Sequence, residues 1–376
     1  MLSRRTFLTS TVLGVLALRA EAKEFLASDG QARREALHYQ KLGDGKGTVR
    51  CGLCPRRCTI ASGNTGFCRA RKNLDGTLYS LGYALPCAIH VDPVEKKPFY
   101  QFYPKSTSFS LACAGCNLRC KFCQNWEISQ LSPLDAQNSF LPAAHVPAMA
   151  QLKGSRSVAF TYTEPTTFYE YMLDTARANR AKGLLSVYHS NGYINQEPLL
   201  ELVKYLDAAN IDLKGFSDQF YGSVCEATLG PVLETLKTLR GAGVWLEITN
   251  LVIPGYNDDP QMIAGMSRWI NENLGADTPL HFSRFFPLYR MTAVPPTPVP
   301  TLDRARAIAQ KAGLRYVYVG NVPGHSANST YCPKCLRVVL KRAGFSVVEA
   351  NIKGGRCGAC GEKIAGVGLL AGGTKI

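Results

Sequence analysis

The sequence predicts an α/β fold: a parallel, TIM-like part-barrel with a cysteine-rich module before it and a zinc-ribbon-like module after it. Three observations carry that reading. Short apolar runs alternate with stretches of helical length from about residue 106 onward, and strand-helix alternation of this kind builds a parallel sheet through right-handed crossovers. The fourteen cysteines fall mostly into tight groups at 51–68, 113–123 and 332–360, a spacing that belongs to metal binding rather than to the disulfide frameworks of small, core-poor domains. Hydrophobic residues at 46% against 19% charged describe a globular chain, and no apolar run approaches the ~20 residues of a membrane-spanning helix.

Residues 1–22 read as a leader. Ser3-Arg4-Arg5-Thr6-Phe7-Leu8 precedes an uncharged stretch from Thr9 to Leu18, then Arg19 and Ala20-Glu21-Ala22. Paired arginines ahead of a short, mildly apolar segment and a small-x-small site have the form of a twin-arginine export signal; a frayed helix is the structural alternative. The region 23–104 should open with a helical stretch from Glu35 to Lys41 and lead into Cys51, Cys54, Cys58 and Cys68, whose Gly, Pro and Arg surroundings indicate a module held by a ligand.

The core, 105–325, should carry strands at 108–112, 157–162, 184–188, 209–213, 244–252, 280–285 and 316–319, with helices at 168–182, 197–208, 232–242, 261–273 and 302–312. Six or so such units suit a barrel or part-barrel whose functional residues sit just after the strands' C-terminal ends. A doubly wound open sheet fits the same periodicity. Val294 to Pro300, rich in proline, should be a stiff extended connector, and 326–376 a separate small module.

Chemistry concentrates in Cys116-Asn117-Leu118-Arg119-Cys120-Lys121-Phe122-Cys123, the loop directly after the first core strand. Three thiolates in so short a loop can hold three irons of a [4Fe-4S] cluster and leave the fourth iron open for a substrate or cofactor. Cys113 could close such a cluster, although its spacing before Cys116 suits an accessory role better; a zinc knuckle would want four ligands in two pairs. Further strand ends bring Thr163-Glu164-Pro165, Ser190-Asn191-Gly192, Asp212-Leu213-Lys214, Asn250 within Glu247 to Asp258, and His281-Phe282-Ser283-Arg284. An Asp or Lys at one strand end is more often a cap or a surface ion pair; the ordered set gives these residues weight.

C-x3-C-x2-C after a strand, with an aromatic before the last cysteine, resembles the hallmark of the radical S-adenosylmethionine (SAM) superfamily. The resemblance implies that the open iron binds the amino and carboxylate groups of SAM. It also implies that the reduced cluster cleaves a C–S bond to give a 5′-deoxyadenosyl radical, the cofactor carrying the hard step. It assigns catalytic roles to Asp212 and Lys214, whose D-x-K is similar to that of glycyl-radical-enzyme activases. It draws a SAM pocket from Glu164, Ser190, Asn191, Asp212, Lys214, Asn250 and His281. One departure stands at His189, where activases of pyruvate formate-lyase carry an acid before their T-N-G, at a proposed monovalent-cation site.

From about residue 48 the chain is similar to the radical SAM member of the AmmeMemoRadiSam system. The segments concerned are Cys51-Gly52-Leu53-Cys54-Pro55, Asp92-Pro93-Val94-Glu95-Lys96-Lys97-Pro98, Cys123-Gln124-Asn125-Trp126, Thr161-Tyr162-Thr163-Glu164-Pro165 and Val319-Gly320-Asn321-Val322-Pro323-Gly324. That kinship with activases implies an oxidoreductase that abstracts hydrogen from a protein substrate, fed by an electron donor such as flavodoxin or ferredoxin. A radical SAM enzyme acting on nucleic acid, and a non-catalytic iron–sulfur or zinc carrier or scaffold, are the rival readings.

Cys332-x2-Cys335 and Cys357-x2-Cys360 match a zinc ribbon, with Pro333 and Gly358 at the knuckle turns. Cys51, Cys54, Cys58 and Cys68, spaced C-x2-C-x3-C-x9-C, fit zinc or a second iron–sulfur cluster equally. Cys87 and Cys225 read as core or surface thiols and His325 as a satisfied loop histidine. With 43 Lys and Arg against 28 Asp and Glu, a net +15, an acidic partner is open. The basic residues lack a regular aromatic interleaving, however, so nucleic acid is not the expected one.

The leader predicts periplasmic export of a protein already folded around its centre; a cytoplasmic protein is the alternative, since SAM and low-potential reductants are found there. Changing Arg4 and Arg5 together to Lys is expected to hold the protein in the cytoplasm at full length, while the parent appears outside it, shortened near Ala22. Fractionation that finds both versions cytoplasmic and unprocessed would reduce the leader to a tail.

Overall fold

Eight strands share one sheet in the computed structural model, which describes residues 33–369; the leader lies outside them. These are β1 (Ala88–Pro93), β2 (Thr107–Ala112), β3 (Ser157–Phe160), β4 (Leu185–Ser190), β5 (Ala208–Asp212), β6 (Trp245–Val252), β7 (Leu280–Arg284) and β8 (Val317–Gly320). From β2 to β8 each strand pairs parallel with the next in sequence, and β1 pairs antiparallel with β2 at the edge. A sequential order without reversal is that of a part-barrel and not of a doubly wound sheet. Helices α1 (Tyr169–Ala181), α2 (Gln196–Leu202), α3 (Gly230–Gly241), α4 (Pro260–Leu274) and α5 (Val299–Lys311) lie in the crossovers. Local chemistry starts them: Asp259 caps α4 by accepting from the Met262 amide at 2.8 Å, with Pro260 in the first turn.

Four expectations are corrected. The stretch 35–41 is not helical: Arg34–Glu35 pairs with Thr77–Ser80, and Tyr39–Lys41 with Val49–Cys51. So short a helix is marginal alone, and strand partners from the cysteine module win. The helix expected over 197–208 ends at Leu202, and Ala208 opens β5, held between Val187 and Trp245. The proline-rich stretch, expected to be extended throughout, is packed against the sheet and runs into a helix. Thr297 is buried, donates its hydroxyl to the Val252 carbonyl at 2.6 Å and accepts from the Phe285 amide, while Val299 and Pro300 already belong to α5. Finally, β1 belongs to the core sheet although it precedes residue 105; as a half-exposed edge strand it shows little periodicity to read.

On the face of the sheet opposite the helices, Ala159, Val187 and Ala208 are small enough to admit Phe99 and Phe102 from the segment that follows β1. That segment is fixed by Glu247 on β6. Its carboxylate accepts from the amides of Tyr100 (3.0 Å) and Gln101 (2.9 Å) and from Trp245 Nε1 (3.0 Å), and is hydrogen-bonded to His281 Nε2 (2.7 Å). Tyr100 in turn packs with Tyr316 and Tyr318 against Val339, Leu340 and Val347 of the C-terminal module. Replacing Glu247 by Leu strands several buried donors, each costing about 1–3 kcal/mol when unpaired. Urea unfolding is expected to show a loss of about 3–5 kcal/mol, as for breaking a buried charged network; an unchanged midpoint would mean that the carboxylate holds nothing.

Candidate functional site

The C-terminal ends of the parallel strands open into one cavity of about 1820 Å³ of free space, mouth included. Cys116, Cys120 and Cys123 line one wall, and the ends of β3 to β8 supply Glu164, His189, Ser190, Asn191, Asp212, Lys214, Thr249, His281, Ser283 and Gly320. Lys96, Lys97 and Tyr162 also line it, and Phe345 reaches it from the C-terminal module.

The cysteine loop is set by close backbone approaches. Gly115 has φ +108, and a Cβ there would come within 2.7 Å of the Cys68 carbonyl oxygen, so only glycine lets the loop pass the N-terminal module. The Arg119 amide donates to the Cys225 carbonyl and the Lys121 amide to the Val224 carbonyl, both at 3.0 Å. Sulfur contacts follow: Leu118 N to Cys116 Sγ at 3.4 Å, Asn191 Nδ2 to the same sulfur at 3.8 Å, and Ser129 Oγ to Cys123 Sγ at 3.2 Å. Burial pushes the Cys116 and Cys123 thiols up, and a hydrogen bond with Cys225 together with burial pushes Cys120 well up. Such thiols keep their protons until a metal displaces them. Among the described residues, their sulfurs do not all lie within 4.8 Å of one another.

Glu164, fully buried, bridges β3 and β4. It accepts from the Thr166 amide (2.9 Å), Ser190 Oγ (2.8 Å) and the Asn191 amide (2.8 Å). Burial raises its carboxyl against those hydrogen bonds. Asp212 lies between His189 Nε2 (3.2 Å) and Lys214 Nζ (3.0 Å). Burial would raise its carboxyl, but Lys214 and His189 outweigh that and hold it well below the usual range; burial would lower Lys214, and Asp212 reverses that too. His189, noted only as a departure, is thus part of the site.

Of the expected pocket residues, Glu164, Ser190, Asn191, Asp212, Lys214 and His281 reach the cavity, His281 with Nε2 on Glu247. Asn250 does not. Alternation on β6 turns Thr249 and Leu251 inward, and the Asn250 amide faces away and donates to the Leu213 carbonyl at 2.7 Å. Missed altogether was the group around Asp92, which accepts from Lys97 Nζ (2.5 Å), Lys96 Nζ (2.9 Å), Ser110 Oγ (3.0 Å) and the Tyr162 hydroxyl. Burial brings Lys97 down to about 8 despite Asp92. The Asp92 to Pro98 segment, quoted above only for kinship, carried the signal. Cys113 turns from the cavity to donate to the Gly82 carbonyl at 3.1 Å, and His325 pairs with Asp303 at 3.0 Å.

The C-terminal module forms the expected knuckle pair. The sulfurs of Cys332, Cys335, Cys357 and Cys360 all lie within 4.8 Å of one another, with 3.5 Å between Cys332 and Cys360 and 3.7 Å between Cys335 and Cys357. Four thiolates at ~2.3 Å from one tetrahedral ion stand about 3.8 Å apart.

A parallel part-barrel with C-x3-C-x2-C at its C-terminal rim defines the radical SAM class. Residues 111–265 match the family model described as the Radical SAM superfamily. The chain is also 46% identical over 333 residues to the uncharacterized protein MJ0808 of Methanocaldococcus jannaschii, across 88% of this chain and 98% of that one. The chain belongs to the radical SAM superfamily and is homologous to pyruvate formate-lyase activating enzymes. To the pyruvate formate-lyase 1-activating enzyme of Escherichia coli it is 20% identical over 220 residues, 54% of this chain and 89% of that one. Among solved structures, a radical SAM methyltransferase from Sphaerobacter thermophilus aligns with TM-score 0.48 at 15% identity, over 86% of this chain and 85% of that one.

Changing Cys335 and Cys357 together to Ser is expected to release one metal ion per chain and to expose the C-terminal module to proteolysis, because structural metal can supply on the order of 10 kcal/mol to a small module. Metal content and a protease time course unchanged from the parent would count against a metal site there.

Proposed function

We propose that the chain binds a [4Fe-4S] cluster on Cys116, Cys120 and Cys123, cleaves SAM reductively and abstracts hydrogen from a protein substrate, as an activase-like oxidoreductase. The observation that carries this is the convergence of three cysteines and the polar strand ends on one open cavity. The bound cluster and SAM would supply the radical chemistry; the chain supplies recognition and orientation. Asp212, kept ionised beside Lys214 and hydrogen-bonded to His189, offers a carboxylate to an ammonium or hydroxyl group, and Lys214 offers a cation to a carboxylate. Glu164, with both oxygens occupied, positions Ser190 and Asn191. Tyr162, at φ 66 and hydrogen-bonded through its hydroxyl to Asp92 and Lys97, lines the cavity wall.

A protein substrate is supported by the names of two relatives, the pyruvate formate-lyase 1-activating enzyme and the 4-hydroxyphenylacetate decarboxylase activating enzyme of Clostridium scatologenes. The half-exposed Trp126, stacked on Tyr289 at 5.3 Å just beyond the cysteine loop, offers a peptide segment an aromatic surface. Zinc in the C-terminal module and a flavodoxin- or ferredoxin-type donor complete the reading, which agrees with the AmmeMemoRadiSam resemblance.

Anaerobically reconstituted protein given dithionite and SAM is expected to release 5′-deoxyadenosine. Ala at Cys116, Cys120 or Cys123 should abolish it, and Lys214→Ala should slow it with iron content intact. Ordinary SAM cleavage in all three cysteine variants would refute the assignment.

A further inference from the structure

Behind the cysteine loop lies a second, smaller cleft, of about 380 Å³ of free space with its open mouth included, lined by Cys51, Cys54, Cys58 and Cys68 together with Leu53, Ile60 and Asn117. One strand end and two turns deliver the four thiols. Cys51 ends the strand Val49–Cys51 and its amide donates to the Cys58 carbonyl at 2.9 Å; Cys54 sits in the turn between; Cys68 comes from the turn closed by Arg69 N to the Gly66 carbonyl. Cys51 Sγ also accepts from the Arg71 guanidinium at 3.6 Å, and Arg71 is ion-paired with Glu170 in the core.

Sequence spacing left zinc and iron–sulfur equal here, and the distances separate them. Among the described residues, the C-terminal four sulfurs all fall within 4.8 Å of one another, and no three of the N-terminal four do so. Cys116, Cys120 and Cys123 likewise do not all fall within 4.8 Å of one another. One zinc ion draws four sulfurs to about 3.8 Å of each other, leaving no cleft between them. Ligands at the corners of a four-iron cube stand farther apart, around a common space that all four cysteines line. Leu53 and Ile60 give it apolar walls, as a cluster shielded from water requires.

We propose that Cys51, Cys54, Cys58 and Cys68 hold a second [4Fe-4S] cluster, closed by four cysteines. With no open iron, its chemistry is confined to taking up and giving back one electron, with no bond to substrate. Its place fits that role. Asn117 lines the cleft, its Oδ1 accepts from Asn191 Nδ2 at 2.8 Å, and the same Asn191 amide contacts Cys116 Sγ, so two side chains separate the two sulfur groups. Arg56 and Arg119 stack on Phe67 at 3.4 and 3.9 Å beside the cleft, with Arg57 and Arg69 exposed around it. A basic rim of this kind suits an acidic one-electron donor protein.

The test uses the full chain with Cys116, Cys120 and Cys123 all changed to Ala, purified anaerobically and checked for folding by circular dichroism. It is expected to retain about four of the parent's about eight irons, with a reduced-state electron paramagnetic resonance signal that SAM leaves unchanged. Further change of Cys54 and Cys58 to Ser should remove that iron and signal while the zinc content stays the same. A folded triple variant without iron would overturn the proposal, as would zinc lost with Cys54 and Cys58. Failure of the SAM-cleavage reading would instead appear as an intact parent holding both iron sets with no 5′-deoxyadenosine formed.

Discussion

Seven strands running parallel put seven carboxyl ends on one rim, and the chemistry of the molecule depends on that single constraint. Residues as distant as Cys116, Glu164, Asp212 and Gly320 face one cavity because each stands at or just past a strand end, not because of any sequence proximity. Strand alternation then sorts them. On β6, Glu247, Thr249 and Leu251 face the interior, while Ile248, Asn250 and Val252 go to the helix side or the core. The opposite end of the barrel cannot stay open, and the chain fills it with its own segment from Val94 to Tyr103, for which Ala159, Val187 and Ala208 leave room. Glu247 satisfies the backbone amides which that plug brings inside.

The rim is stiffened by buried polar links more than by apolar packing. Glu164 ties the end of β3 to Ser190 and Asn191 at the end of β4, Asn191 reaches Asn117 and Cys116, and Asn117 donates to the Tyr193 carbonyl at 2.7 Å. Each donor and acceptor in this chain is used by the next, which in a low-dielectric interior leaves one arrangement favoured over its alternatives. The cysteine loop, though irregular in backbone, is therefore held from three sides: by Asn191, by the 224–225 segment and by Ser129.

Much of this could be read from the sequence, and the misses share a cause. The seven parallel strands announced themselves because a strand buried on both faces is a continuous apolar run, as in Ser157–Phe160. The strand-end residues followed from that, since position after a strand is itself a site signal. What stayed hidden were features whose reason is tertiary. The edge strand Ala88–Pro93 is half exposed and has no period to find. Arg34–Glu35 and Tyr39–Lys41 are strands only because partners from 49–51 and 77–80 meet them. Asp92 and Lys97 share one short segment, but Tyr162 lies 70 and 65 residues from them, and only folding makes the three one hydrogen-bonded group. Asn250 was misplaced by one residue's worth of alternation, the smallest shift that turns a side chain to the other face of a strand.

The charge balance takes on a different meaning once the cysteine groups are placed. A net +15 in sequence suggests a polyanionic partner, yet several of its arginines stand beside thiols. Arg71 contacts Cys51, and Arg119 lies so close to Arg69 and Arg56 that burial and those like charges bring its guanidinium down from the usual range. Bringing cations together in partly buried positions is unfavourable unless negative charge is held nearby. Lys214 is answered by Asp212 and Arg71 by Glu170; Arg56, Arg69 and Arg119 are gathered where thiolates bound to iron would carry net negative charge. Clustering of this kind would serve as counter-charge to iron-bound thiolates, so part of the basic excess has a use inside the molecule as well as on its surface.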